Sequence, residues 1–557
     1  MVEEVLPPVP EGLPPDEDTV SINLDDPPIF KQHMVEPSEG SESPKTAKNL
    51  GDYLVFGWYT VFICVMHEFD VLSQAGAFTY MALAGLFPDI SQCGSLNLTN
   101  IGPDASCAAI EASANVCTPH YAADSFKSMP LEFGYYCSTK SYVKLAVSFQ
   151  MIGMLLGATS FGQFSDMYGR RKLLLIGSAG TSICSLLTSF TPNLMWFSVT
   201  QFCTLFFAGG VGTVHTVFLM ETVPKDHRFW IHLVIGFSPN MIIFAFLAYL
   251  AGDWRWTARV ISGLCIPHII LQWIGFESPR WLVQSGQLDK ATEIYEKIEK
   301  YNGTASAERS KLLNELIDEE RVKLAERKTA KKYYVWHTFY TKPMIGENLT
   351  MAYCLLVSAI LYYGLVFNME ELVGSVYANI ALLGLLRTIF GCILGALDYL
   401  WPKLGRKPIC ITFLIAILVA LAIVIPEKLG FYTNNLVRNI SMLSVTAMIS
   451  QIFVIGFLVT GELFPTPIRN VATAFQQVFS RLGVVFAAQF FVIFNFNPAA
   501  PYFAMATMVI GFLILFGTFI PETKGTPLSD HMPPKSEKAW HWNSGKTAPT
   551  KDVESTL

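Results

Sequence analysis

The segment Gly162-Gln163-Phe164-Ser165-Asp166-Met167-Tyr168-Gly169-Arg170-Arg171-Lys172 decides the fold. It joins two apolar stretches, 143–162 and 173–190, each near the roughly 20 residues with which a helix crosses a bilayer core. A glycine turn carrying one carboxylate and three cations is excluded from hydrocarbon, so it marks a membrane face, and its cations place that face in the cytosol.

The composition agrees with that reading. The 557 residues are 52% hydrophobic and 15% charged, with a mean hydropathy of +0.38, whereas soluble domains carry about a quarter charged residues. Further apolar stretches lie at 53–80, 195–220, 230–250, 256–275, 347–367, 375–397, 408–426, 439–461, 472–495 and 501–520, giving twelve in all. The expected fold is therefore an all-α polytopic membrane protein. The net charge of −6, with no basic domain, excludes a nucleic-acid partner.

Basic residues gather at the even-to-odd turns: Arg170 to Lys172, Lys225 and Arg228, Lys403, Arg406 and Lys407, and Arg469. Those turns and both termini are expected in the cytosol. Residues 1–50 are acidic and Pro-rich and read as a disordered cytosolic arm. A six-helix half covers 51–275, a charged linker of amphipathic helices 276–345, a second six-helix half 346–520, and a cytosolic tail 521–557. The linker pairs Glu293 with Lys297 and Glu319 with Lys323 at i,i+4. The loop 81–142 is then extracellular. Its Cys93, Cys107, Cys117 and Cys137 and the sequon at Asn97 suit an oxidising, glycosylated compartment, with three possible pairings of two disulfides. Spacings of 14, 10 and 20 between those cysteines lack the close pair of a zinc site, so no metal is expected. The C-terminal Ser555-Thr556-Leu557 suits capture by a PDZ domain through strand addition.

No nucleotide-binding loop is present, and His67-Glu68 lacks the second histidine of a zinc protease. No cofactor and no enzymatic activity are expected. Gly209, Gly210 and Gly212 lie inside a span and fit close helix packing. Twelve spans without a nucleotide site describe a secondary carrier whose halves rock about a midplane site. In such a carrier, charge-assisted bonds between the Arg170 and Arg171 turn and neighbouring helix ends form in one state and break in the other. Positive-inside topology alone accounts for the cations but leaves Gly162, Gly169 and Asp166 unexplained.

The first turn resembles the loop signature of the major facilitator superfamily. Asp253-Trp254-Arg255-Trp256, Glu277-Ser278-Pro279-Arg280-Trp281-Leu282, Glu462-Leu463-Phe464-Pro465-Thr466-Pro467-Ile468-Arg469-Asn470 and Pro521-Glu522-Thr523-Lys524-Gly525 extend the match. With the cysteine-bearing loop, they resemble the organic cation, anion and zwitterion transporters of solute carrier family 22, over about residues 50–530. The resemblance implies the major facilitator fold, a plasma-membrane location, and transport of small organic ions across the lipid bilayer by alternating access. One departure is visible: six residues separate Asp398 from Gly405-Arg406-Lys407, where the first-half block has two. Gating or structural roles fall to Gly162, Asp166, Gly169, Arg170, Arg171, Glu221, Arg228, Glu277, Arg280, Glu462 and Arg469.

A charge in the middle of a span costs on the order of 2.5–3.5 kcal/mol and faces a cavity or a partner. Arg481, about 18 Å along its helix from Arg469, and Arg387, near the centre of 375–397, have no carboxylate one turn away. Two guanidiniums could hold a carboxylate or sulfate, or each could pair structurally with another helix. In the resembling family an arginine at the Arg481 position is typical of anion members and occurs in zwitterion carriers. Glu68 and Asp70 argue the other way. Two residues apart, they point about 200° from each other. One could neutralise an arginine, hold a cationic group or carry a proton; alternatively the first span ends early and both acids lie at the headgroups. Tyr362 and Tyr363 match an aromatic pair of anion relatives, and Phe453 and Phe457 stand at i,i+4. His215 and Asn379 are further buried-polar candidates.

The favoured expectation is a carrier of organic anions or zwitterions. The rivals are an organic cation or carnitine-like carrier using Glu68 or Asp70, and a non-transporting receptor or scaffold built on the long loop and the tail. A sugar porter fits less well, since span seven reads Tyr353-Cys354-Leu355-Leu356-Val357 and lacks paired glutamines.

Overall fold

In a computed structural model of the chain, the described residues are 50, 53–87, 90–93, 96–97, 107, 119–121, 126–135, 137–224, 227, 231, 234–327, 334–369, 372–401, 404–494, 497–524 and 532–533. The first half holds α1 (Trp58–Ala84), β1 (Ile90–Cys93), β2 (Leu96–Asn97), β3 (Pro119–Tyr121), α2 (Met129–Phe133), α3 (Lys140–Tyr168), α4 (Arg170–Thr188), α5 (Leu194–Thr222), α6 (Phe237–Ala251) and α7 (Trp254–Ile274). Then come α8 (Pro279–Gln284), α9 (Leu288–Asn302) and α10 (Ala307–Arg327). The second half holds α11 (Lys342–Val366), α12 (Val376–Leu400), α13 (Arg406–Lys428), α14 (Asn435–Leu463), α15 (Thr466–Ile493) and α16 (Ala500–Phe519). Among the described residues ten helices are long and apolar enough to cross a membrane. The remaining two of the twelve are α4, with Arg170 to Lys172 in its first turn, and α6, which is shorter.

Local chemistry sets the helix ends. Asn193, Asp253, Ser278, Thr341 and Asn434 each accept a bond from a backbone N–H of the first turn they precede. Gly252, at φ 63°, closes α6 in the left-handed region. Close approach explains the glycine cluster: a Cβ on Gly209 would stand 2.8 Å from the Met154 carbonyl oxygen, so glycine lets α5 lie directly on α3.

The fold is not purely helical. The loop after α1 carries a three-stranded antiparallel sheet in the order β2-β1-β3, pairing Cys93 with Leu96 and with Pro119. Cys107 is bonded to Cys137 with the Cα atoms 5.2 Å apart, one of the pairings left open by the sequence. Cys93 and Asn97 are placed only as strand backbone, and Cys117 lies outside the described residues. The loop docks on the α6–α7 turn. Lys127 exchanges backbone bonds with Gly252 and Trp254, while Glu132 receives the Trp254 indole N–H at 2.8 Å and Arg255 at 2.6 Å. The Arg255 guanidinium holds the Glu132 carboxyl below its ordinary range.

Among its described residues the linker forms the α-helices α8, α9 and α10 and a 3-10 turn at Val335–Phe339, and α9 is pinned to the start of α1. Glu299 accepts from Tyr53 at 2.6 Å and Arg309 at 2.5 Å, and Asn302 accepts from the Tyr59 N–H at 2.8 Å. The i,i+4 pair Glu293–Lys297 closes at 2.7 Å, and Lys323 stands 3.8 Å from Glu319 but 3.0 Å from Glu320. The acidic arm, Arg228 and Ser555-Thr556-Leu557 lie outside the described residues, as does the Asp398 side chain. The first helix does not end early: α1 runs unbroken to Ala84, so Glu68 and Asp70 are near its middle.

Candidate functional site

Three clusters of polar side chains are built into the twelve-helix frame: a turn network repeated in both halves, an arginine–tyrosine group in the second half, and an aspartate–histidine group in the first.

At the α3–α4 turn, Gly169 adopts φ 102°, ψ 154°, a region essentially reserved for glycine. The turn exposes the first N–H groups of α4, and the Glu277 carboxylate accepts from those of Arg170 and Arg171, both at 3.0 Å. The Arg170 side chain reaches Asp166 at 2.5 Å, Ser165 at 2.9 Å and Glu221 at 3.2 Å. Trp281 donates its indole N–H to the Asp166 carbonyl at 3.0 Å. Arg280 lies on α8, and Gly162 one turn before Asp166 on α3. The second half repeats this arrangement. Glu522 accepts from the N–H groups of Arg406 at 2.8 Å and Lys407 at 3.1 Å at the start of α13, and Arg406 reaches Glu462 at 3.3 Å. Thr523 donates to the other Glu462 oxygen at 2.6 Å, and Arg469 bonds the Phe464 carbonyl at 3.3 Å.

Deeper in the second half, Arg387 donates to the Tyr362 hydroxyl, and its guanidinium lies 5.0 Å from that ring and 5.3 Å from Phe237. Tyr362 is buried and meets Tyr363 edge-on at 4.9 Å and Phe453 at 6.4 Å. Gln451 donates to the Arg387 carbonyl at 3.1 Å. Across the boundary between halves, Arg387 reaches the Met241 sulfur at 3.9 Å, and Arg481 reaches the Met154 sulfur at 3.9 Å. Among the described residues neither arginine has a carboxylate within ion-pairing distance. A thioether is a weak acceptor, so both guanidiniums are left under-satisfied. Phe457, one turn further along α14, is 46% exposed and among the described residues makes no ring contact with this group. Asn379 is buried on α12 with its amide nitrogen unbonded.

The two acids of α1 diverge. Glu68 is half-buried beside Asn240 of α6. Asp70 is 1% exposed and faces the interior of the first half, away from the arginines. Its carboxylate stands 2.7 Å from His215 Nδ1 on α5 and 3.9 Å from His268 Nε2 on α7, and accepts from the Gln74 amide. His67 lies against His215 with ring centres 4.3 Å apart, and His268 is held by its Nδ1, 3.1 Å from the Met66 carbonyl. The sequence reading weighed His67 only against a zinc-protease motif and passed over His268; the signal was the spacing His67–Asp70–Gln74, which puts three polar groups on one face of an apolar helix.

The halves meet where Lys144 of α3, also missed, donates to the Phe367 carbonyl and the Asn368 side chain, both at 3.0 Å. Ser148 adds bonds of 3.2 Å to the Val485 carbonyl and from Gln489. These contacts lie toward the end of the bundle that bears the sheet.

Two six-helix halves meeting around inward-pointing arginines define a membrane transporter of the major facilitator class. The structure of the xylose transporter XylE from E. coli in an inward-open conformation superposes with a TM-score of 0.59 at 15% identity, covering 84% of this chain and 97% of that one. Residues 55–532 match the model of the family "Sugar (and other) transporter", and the chain belongs to that family. Its curated relatives are mostly members of solute carrier family 22. Member 6-A of Xenopus laevis is 27% identical over 74% of this chain and 72% of its own. Human member 16 is 26% identical over 73% and 70%, and organic anion transporter 3 of Oryctolagus cuniculus 27% identical over 76% of each.

Proposed function

We propose that this transporter moves small organic anions or zwitterions by alternating access, with Arg387 and Arg481 holding the anionic group among Tyr362, Tyr363 and Phe453. The observation that carries the reading is that each guanidinium, with no carboxylate partner among the described residues, rests on a methionine sulfur from the opposite half. An incoming carboxylate or sulfate displaces a weak acceptor and gains charge-assisted bonds to the second half while staying packed against the first. The aromatic faces tolerate varied apolar bodies. Glu68, half-buried on α1 beside Asn240, would receive the cationic end of a zwitterion. The relative named organic anion transporter 3 supports the same class of solute.

In this reading the Gly169 turn and its second-half counterpart face the cytosol with both termini, the sheet-bearing loop is extracellular and glycosylated at Asn97, and the protein resides in the plasma membrane. The Arg170–Glu221–Glu277 and Arg406–Glu462–Glu522 networks act as paired inner gates, and the C-terminal tail offers a PDZ ligand.

Uptake of labelled hippurate, carnitine and tetraethylammonium by cells expressing the chain tests the proposal, with Arg481→Ala alongside. Saturable hippurate or carnitine uptake that falls about tenfold to a hundredfold in the variant is expected, since a bond to a charged group contributes about 1.5–3 kcal/mol. Entry of tetraethylammonium alone, indifferent to Arg481→Ala, would overturn it in favour of a cation carrier using Glu68.

A further inference from the structure

Three side chains of the kinds that bind metals meet inside the first half, each from a different helix. Asp70 of α1 stands 2.7 Å by its Oδ2 from His215 Nδ1 of α5 and 3.9 Å by its Oδ1 from His268 Nε2 of α7, and one ligand atom from each lies within 4.8 Å of the others. Among the described residues no other three histidines, cysteines and acids come this close. All three are buried, Asp70 and His215 at 1% exposure and His268 at 0%. His268 Nδ1 lies 3.1 Å from the Met66 carbonyl, which can only accept. Nδ1 therefore carries the hydrogen, and a neutral His268 turns a bare lone pair at Nε2 toward Asp70. That Nε2 has no hydrogen-bond partner. Among the described residues Asp70 has no Lys or Arg within ion-pairing distance. Two acceptors facing each other in a sealed interior are costly, and a cation between them removes the cost.

We propose that Asp70, His215 and His268 bind one divalent transition-metal ion of the zinc class, which ties α1, α5 and α7 together within the first half. Two imidazoles and a carboxylate are the donor set of open zinc sites, in which water or an anion takes the fourth position. Bonds of about 2.0–2.1 Å in a tetrahedral site space the ligand atoms about 3.3 Å apart. The separations from Asp70, 2.7 and 3.9 Å, lie on either side of that value. Calcium and magnesium fit poorly, because they take oxygen ligands and the group supplies one carboxylate. The ligands are themselves held in place, as metal ligands are. The Met66 carbonyl fixes the His268 ring, and the Gln74 amide donates to the Asp70 carboxylate. Gly212 leaves room for Gln74, since a Cβ there would stand 2.5 Å from its side-chain oxygen. His67, its ring centre 4.3 Å from that of His215, is a further imidazole at the edge of the site. No spacing along the chain reveals ligands drawn from three separate helices, and the expectation of no metal weighed only the loop cysteines and His67-Glu68. The site lies apart from Arg387 and Arg481, so it stands or falls independently of the solute reading.

The test uses the full-length protein without a polyhistidine tag, purified in detergent from cells grown with added Zn²⁺, so that the ion can enter before the helices close. Metal analysis should find about one zinc per chain in the wild type and less than about a tenth of that in Asp70→Asn and His268→Gln. X-ray absorption at the zinc edge reads the ligands in the wild type alone, and so does not depend on any variant folding. It should show imidazole scattering with nitrogen and oxygen at about 2.0–2.1 Å and no sulfur at about 2.3 Å. Stripping the zinc with a chelator should lower the thermal midpoint, and Zn²⁺ but not Mg²⁺ should restore it. Zn²⁺ at about a hundred times its Kd raises the ratio of folded to unfolded protein about a hundredfold, a response that His215→Gln should lose. A wild type that carries no zinc, a sulfur shell that places the ion on the cysteines, or equal zinc in the wild type and in folded Asp70→Asn and His268→Gln would each overturn the assignment. No solute enters these measurements, so failure of the anion reading would leave their outcome unchanged.

Discussion

Glu277 and Glu522 occupy the same place in the two halves: each caps, with one carboxylate, the N-terminus of the third long helix of its half, α4 or α13. The arginine at that N-terminus reaches in each half the acid ending the fourth helix, Glu221 or Glu462. The degraded Asp398 spacing therefore does not mean that the second half lacks the network. The cap comes from beyond the last helix.

The two caps should titrate in opposite senses. Burial pushes the Glu277 carboxyl up, more than its backbone N–H partners and Arg170 lower it. At Glu522 burial acts in the same sense, but the N–H groups of Lys524, Arg406, Lys407 and Thr523 outweigh it and the net shift is downward. A raised value favours the fold below the unfolded glutamate value of about 4.3 and is lost as pH rises through the raised one; a lowered value favours it above about 4.3 and is lost as pH falls through the lowered one. Thermal midpoints measured against pH check this. Glu522→Gln should be the more destabilising at neutral pH, with its deficit shrinking in acid, and Glu277→Gln the milder.

Gly169→Ala should impair transport more than a surface alanine does. The backbone at φ 102° disfavours any Cβ, and one placed there would stand 2.5 Å from Glu277 Oε2 and 3.3 Å from the Trp281 ring. Strain of about 1–3 kcal/mol is expected, read as a lowered thermal midpoint together with slower uptake at equal surface expression. An unaltered midpoint would show that the turn relaxes freely.

Tyr362→Phe should raise the KM for hippurate about tenfold or more and leave the maximal rate near wild type. The hydroxyl that accepts from Arg387 orients the guanidinium, and bonds to charged groups contribute about 1.5–3 kcal/mol. Tyr363→Phe leaves that bond in place and serves as the comparison. Equal KM values for the two variants would count against an orienting role.

Lys144→Met should loosen the junction of the halves at the sheet-bearing end. The ammonium binds the Phe367 carbonyl and Asn368 just after α11, where a cation complements the helix dipole. Losing bonds of about 1.5–3 kcal/mol would shift the balance toward opening at that end about tenfold or more. A cysteine at Ser148, buried between α3 and α15, reports it through its labelling by a membrane-impermeant thiol reagent, with exposed Cys392 replaced. A labelling rate equal to that of the Lys144 parent would exclude a latch.

Twelve spans, the glycine–arginine turn, the loop cysteines and the inward arginines were legible in the sequence, because hydropathy, turn chemistry and the cost of a charge in hydrocarbon are properties of a dozen or so consecutive residues. The family resemblance rested on the same short blocks. What the sequence left open was pairing. It offered Asp70 to the substrate, to an arginine or to a proton, and gave Phe453 and Phe457 one face. Only the packing of α1 against α5 and α7 surrounds Asp70 with His215 and His268, and only the rotation of α14 sets Phe453 on Tyr362 while Phe457 is left exposed. Partners drawn from helices far apart in the chain follow from helix rotation and close approach, which depend on every side chain at an interface and on glycines such as Gly209 and Gly212.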